Sequence, residues 1–140
     1  MYSSNNLIHI FTILEAIQKI NIYCKDFEDD EELYIANDQL NFNAVVNLLI
    51  AIGEENKKID NAIKTDYNFH WKDISKMRDK ISHNYRGVSP YIVWDIILNF
   101  LPEYKKVLLQ VLPNIEDFNE ALKDALDSKF YTHLEYLNKI

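Results

Sequence analysis

The sequence predicts an all-α protein, a bundle of four to six helices. Three observations lead there. The chain has only 2 Gly and 3 Pro among 140 residues, too few turn-formers for many short strands. Apolar residues recur at spacings of three and four, and no segment alternates convincingly. Hydrophobic residues make up 48% of the chain and charged ones 26%, the profile of a folded protein with a real core.

The first element is an amphipathic helix from about Asn5 to Lys25. Leu7, Ile10, Leu14, Ile17 and Asn21 mark its stripe, widened by Phe11 and Ile13. Asn5 or Asn6 is its expected cap. The acidic run from Asp26 to Glu32 reads as a solvated loop entering a helix N-terminus, where carboxylates suit the dipole. A second helix is expected from about Glu31 to Ile63, apolar almost all round between Ala44 and Ile52. Gly53 interrupts it at a cost of roughly 1 kcal/mol against Ala, which implies close approach of a neighbouring helix.

Trp71, Ile74, Met77 and Ile81 define a third stripe, stopped by Gly87 and Pro90. Tyr91 to Phe100 is a fourth apolar stretch, and Pro102 either kinks it or begins a fresh helix. Tyr104 to Leu112 continues with Val107, Leu108 and Val111. Residues 1–112 thus carry the bundle. Residues 113–140 form a C-terminal extension of one or two helices, expected to pack on the same domain.

The charges exclude some classes of function. A formal net charge of −7 argues against a general nucleic-acid-coating protein. Yet Trp71 to Arg86 holds five basic side chains against two acidic ones, so a polyanion is drawn to one place. Cys24 is the only cysteine, which rules out an internal disulfide or a cysteine-based zinc site and suits a reducing cytoplasm. No signal peptide is legible, and no run approaches the ~18 apolar residues of a membrane span. His9, His70 and His133 stand isolated in the sequence, and no arrangement resembles a metal site, a phosphate loop or a serine elbow.

The basic segment carries the chemistry. Arg78 and Arg86, the only arginines, flank His83 in an Arg-x4-His-x-Tyr pattern completed by Tyr85. Arginine offers a planar fork of donors suited to phosphate, and histidine moves protons near neutral pH. On a helix Arg78 and His83 lie about 140° apart, whereas Asp79 and His83 are i, i+4 neighbours and can pair. Either the helix ends near His83 and the chain re-aims it, or two copies of the helix meet at a dimer axis. The second is favoured, because it supplies a general base and a general acid to one phosphodiester. The same residues also suit an exposed helix face with a histidine near its C-terminus.

Beyond this pattern, Trp71-Lys72-Asp73-Ile74-Ser75-Lys76-Met77-Arg78-Asp79 resembles the Trp-x-x-Ile-x-x-Met-Arg-polar segment of the HEPN superfamily, in its HepT-like toxin branch. Ile81, His83 and Tyr85 continue the likeness, followed by Ile92-Val93-Trp94 and preceded by Ala51-Ile52-Gly53-Glu54. The pieces fall in order across roughly Leu7 to Leu112, with Glu55 where the family often has alanine.

The resemblance implies an antiparallel, up-and-down HEPN-like bundle of four to six helices that forms a homodimer, with its motifs facing one another. It implies a metal-independent endoribonuclease, cytoplasmic and without a cofactor, paired with an MNT-type nucleotidyltransferase antitoxin. Arg78 would hold the scissile phosphate of the RNA substrate. His83 would act as general base or acid, and Asp79 would orient it. Tyr85 would be the acceptor for AMP, and Lys76, Lys80 and Arg86 would bind the RNA backbone. The alternative is a non-catalytic module of the same fold that binds a nucleotide or a nucleotidyltransferase.

Overall fold

Nineteen residues, Asn6–Cys24, form α1, the most uniformly buried element of the computed structural model, which describes residues 1–83 and 87–140. Ile10, Ile13, Leu14, Ile17 and Ile20 lose essentially all contact with solvent, each burial worth roughly 1.5–3 kcal/mol. By length and hydropathy alone α1 could cross a membrane, but 56% of that stretch is buried inside the bundle, as in a core helix. Its cap also departs from expectation. Asn5 makes no capping bond, and the buried Asn6 instead holds a distant loop, donating to Asp60 Oδ2 at 2.9 Å and accepting from Asp60 N at 2.8 Å.

The acidic run does enter a helix. Asp29 caps α2 (Asp30–Ile35) by accepting from Glu32 N at 2.8 Å, and Glu32 reaches back to Glu28 N at 2.7 Å. The single long second helix expected from the sequence is in fact three pieces. Asn37, Asp38 and Gln39 take left-handed backbone angles (φ 52°, 56° and 69°) and separate α2 from α3 (Leu40–Lys57). A second turn at Lys58–Asp60, anchored by Asn6, separates α3 from α4 (Asn61–Asp66). Apolar residues stand beside both turns, exposed at Ile35 and Leu40 and buried at Ile59, so hydrophobicity alone did not mark the breaks.

α5 (Trp71–His83) follows, then α6 (Pro90–Asp95), capped by Ser89. α6 runs through a widened π turn at Ile96–Phe100 directly into α7 (Leu101–Val111). Pro102 explains the turn. It has no N–H for the carbonyl of Leu98, and the neighbouring Leu101 N–H reaches back five residues, to Ile96 O. Pro102 therefore lies in the first turn of α7, as one of the two expected outcomes had it, and the widened turn joins that helix to α6.

α3 sits at the centre, with α1 against one side and α5 against the other. Among the described residues there is no strand, only an isolated bridge between Tyr2 and Ile115. That bridge begins the C-terminal segment, where α8 (Phe118–Leu126) and a final 3-10 turn lie over α1. Phe118, Leu122, Leu134 and Leu137 are buried there, and Phe11 contacts the rings of Phe118 and Tyr131. Glu15 of α1, also buried, accepts from His133 N at 2.8 Å and lies 2.9 Å from its Nδ1. His133 is therefore a structural partner, as is His9, whose Nδ1 lies 2.6 Å from Glu55 Oε2. Neither stands isolated. Cys24 is buried and its thiol is pushed up to about 11, which makes it a poor nucleophile.

One polar group lies deep among α3, α5 and α7. Asn56 is fully buried, donating to Trp71 O at 2.9 Å and Ser75 Oγ at 3.1 Å while accepting from Tyr104 Oη at 2.8 Å. Burial holds the Tyr104 phenol well above its ordinary pKa, so it remains the donor. Removing the amide strands several groups away from water. Asn56→Ala is expected to lower unfolding stability in urea by about 3 kcal/mol, and Tyr104→Phe by about 1–2 kcal/mol. Wild-type midpoints for both variants would show that the network adds no stability.

Candidate active site

The site is built on α5, and its position follows from how α5 meets α3. Trp71 begins the helix with its indole N–H on Tyr67 O (2.9 Å) and its carbonyl on the Asn56 amide. Ile74 and Ile81 turn inward, as their spacing predicted. Between them Arg78 crosses directly over Gly53. A Cβ built on Gly53 would stand 2.1 Å from Arg78 Cβ and 2.7 Å from its Cγ. The expected close approach is therefore real, and the arginine of the motif is the residue that makes it.

The guanidinium is then held by charge. Nε lies against Glu54 Oε1, although without the alignment of a hydrogen bond, so this contact is chiefly Coulombic. Nη1 donates to Asp79 Oδ1 at 3.2 Å. Lys57 completes the group, 3.1 Å from Asp79 Oδ1 and 3.8 Å from Glu54 Oε1. The hydrogen bond from Lys57 and, after it, the nearby Arg78 hold the Asp79 carboxyl below its ordinary pKa. Two carboxylates and two cations thus occupy one edge of the α3–α5 seam. Arg78 retains donors for a phosphate, because its fork has five and the carboxylates face only Nε and Nη1.

His83, the last residue of α5, is exposed. It lines an open groove of about 660 Å³ together with Asp79, Lys76 and Lys80, against an apolar wall of Ile81, Val88, Ile92, Val93 and Ile96. Arg78 does not line that groove. Among the described residues no hydrogen bond or ion pair joins Arg78 to His83. Asp79 shares the groove with His83, yet its bonds go to Lys57 and Arg78. Tyr85 and Arg86 lie outside the described residues. Among those described, no group of three or more His, Cys, Asp or Glu side chains is placed to hold a metal ion.

The sequence offered Arg78, Asp79 and His83 directly. It gave no sign of Lys57 or Asn56, each an ordinary polar residue on a long helix. Glu54 had only its place beside Gly53. What singles them out is that positions 53, 54, 56 and 57 line one side of α3, the side that meets α5.

The chain is similar to known proteins over the part that builds this site. A family model described as ribonuclease HepT-like matches residues 13–111. The protein named "Putative RNase MJ1216" from Methanocaldococcus jannaschii is 35% identical over 112 residues, covering 79% of this chain and 90% of that one. "Probable ribonuclease HepT" from Thermococcus cleftensis is 32% identical over 96 residues, covering 66% and 83%. No solved structure matches the chain with significance.

Two outcomes test the geometry. Gly53→Ala forces a backbone shift, since no rotamer moves the Arg78 Cβ, and is expected to cost about 1–3 kcal/mol in urea unfolding. An unchanged midpoint would contradict the close seam. The Asp79 carboxyl should titrate at lower pH than an ordinary aspartate in carbon-detected NMR, and Lys57→Met should move it upward. Because its folded pKa is depressed, the stability it adds is present above the unfolded value of about 3.9 and lost as pH falls through the folded one.

Proposed function

The chain belongs to the HepT-like ribonuclease family, and from that premise we propose that it is a metal-independent endoribonuclease whose Arg78 and His83 cut RNA within the strand. The observation that carries this reading is the contrast between the two residues. Arg78 is pinned over Gly53 by Glu54 and Asp79, whereas His83 is exposed at the end of α5, facing an open groove. A fixed cation for a phosphate and an exposed imidazole for a proton are the two parts such a cleavage needs.

The reaction is an internal displacement. His83 takes the proton of a ribose 2′-hydroxyl, and that oxygen attacks the adjacent phosphorus. Arg78 stabilises the negative charge that gathers on the non-bridging oxygens. The bond to the 5′-oxygen breaks, and a second imidazole returns a proton to that leaving oxygen. The products are a cyclic 2′,3′-phosphate and a free 5′-hydroxyl.

The second imidazole comes from a second copy of the chain. In one chain Arg78 and His83 do not share a groove, so a homodimer with apposed α5 helices brings the parts together. The apolar wall beside His83 supports this, as do Tyr91, Ile92 and Leu98, which expose 69%, 53% and 53% of their surfaces nearby in sequence. In this reading Asp79 sets the charge around Arg78, and Lys76, Lys80 and Arg86 attract the RNA backbone.

A nucleotidyltransferase antitoxin, acting in the cytoplasm beside the toxin, would silence the site. Transfer of AMP from ATP to the Tyr85 hydroxyl releases pyrophosphate and sets a negative charge two residues from His83, where substrate phosphate must sit.

Purified protein should cleave RNA in EDTA, with a cyclic phosphate end visible by mass spectrometry. His83→Ala is expected to lose roughly 100- to 10,000-fold in rate. Arg78→Ala is expected to lose about 100-fold or more. Both should relieve growth arrest in a host lacking the antitoxin. Equal cleavage by wild type and His83→Ala would remove His83 from the chemistry. Absence of cleavage on several RNAs, with a stable nucleotidyltransferase complex, would favour the non-catalytic module.

A further inference from the structure

A second groove on α5 has no part in the cleavage step. It encloses about 750 Å³ between α4 and the first half of α5. Lys64 enters from α4, and Lys72 and Lys76 enter from α5. Among the described residues no carboxylate stands within ion-pair distance of any of the three. Of the acidic groups in the wall, Asp79 faces Lys57 and Arg78, while Asp73 lies 3.8 Å from His70 Nδ1, a pair that is ionic only when the imidazole carries a proton.

A chain of net charge −7 thus gathers three lysines in one concavity, none of them in a salt bridge among the described residues, against Asp73 and Asp79 in the lining and Asp60 near Lys64. Burial holds the Lys64 ammonium below its ordinary pKa against the pull of the nearby Asp60 carboxylate, and a phosphate bound beside it would favour the charged form. The groove also has an aromatic side. Phe69 is half-buried and stacked on Tyr104 (centroids 5.5 Å apart, planes 3° apart), and the exposed ring of His70 lies 5.9 Å from it.

The two grooves adjoin, and Asp73, Lys76 and Asp79 line both. Asp73 and His83 are ten residues apart on one helix, about 15 Å along its axis. A strand whose scissile phosphate sits near His83 can therefore continue past Lys76 towards Lys72 and Lys64. We propose that this groove binds single-stranded RNA beside the scissile bond, with Lys64, Lys72 and Lys76 on backbone phosphates and Phe69 and His70 as a face for base stacking. The proposal rests on the ribonuclease reading of the His83 groove and adds to it the path of the substrate.

The test is fluorescence anisotropy in EDTA with an unstructured 2′-O-methyl RNA of about 12 nucleotides, a length such a groove can cover. The modified ribose removes the nucleophile, so binding is read without cleavage. Lys64→Gln/Lys72→Gln is compared with Lys123→Gln/Lys129→Gln, which removes the same charge from α8 and the residues just after it. The first variant is expected to bind about tenfold more weakly at about 50 mM salt, with the slope of log affinity against log salt reduced by about 1.4. The second should bind as wild type does.

Equal affinity and slope in the two variants would overturn the proposal. So would failure of the wild type to bind, or equal binding of duplex RNA. Stronger binding of polyglutamate would point to an acidic protein partner and overturn it as well. The two readings fail separately. RNA cleavage by a wild type whose binding ignores Lys64 and Lys72 would sink the groove alone. Lysine-dependent binding without cleavage of natural RNA would sink the nuclease alone.

Discussion

The register of α5 on α3 is the constraint on which the rest of the site depends. It is fixed at two points. At the N-terminal end of α5 the buried Asn56 amide binds the Trp71 carbonyl and the Ser75 hydroxyl, and Tyr104 of α7 closes the network. Farther along, Gly53 admits the Arg78 side chain at a distance that any Cβ would forbid. A hydrophobic seam alone tolerates small slides, because one buried methyl group is much like another. A saturated polar network does not, since each displaced group loses a bond in a place water cannot reach.

The electrostatics are a consequence of this register. With Arg78 over Gly53, Glu54 lies on one side of the guanidinium and Asp79 on the other, and Lys57 meets both carboxylates. Exposed pairs of this kind contribute little to stability. Their effect here is orientation: the fork is held in place before any ligand arrives. His83 is under the opposite regime, exposed at the end of the same helix and beside an apolar wall. One helix thus presents a constrained cation and an exposed imidazole.

The remaining elements keep that arrangement in place. α1 covers the face of α3 opposite α5, and the C-terminal segment is tied to α1 through Phe11 and the buried Glu15. The π turn that absorbs Pro102 lets α6 and α7 run as one rod, which brings Tyr104 to Asn56 and Ile92 to the wall beside His83. Left-handed angles at Asn37, Asp38 and Gln39 reverse the chain before α3, where asparagine and aspartate tolerate such angles better than most residues.

The sequence by itself determined the helical class, the buried stripes of α1 and α5, the special place of Gly53 and the Arg78–His83 pair. Each of these is local, written in spacing or in a residue type whose physics is distinctive. Breaks at Asn37–Gln39 and Lys58–Asp60 were hidden: apolar residues stand close to both, and the contact that anchors the second, Asn6 to Asp60, spans fifty-four positions. The partners of Arg78 and Asp79, the burial of Asn56 and the pairing of His133 with Glu15 were decided by the tertiary structure alone. An ordinary lysine, asparagine or glutamate acquires such a role only from what the packed helices bring against it.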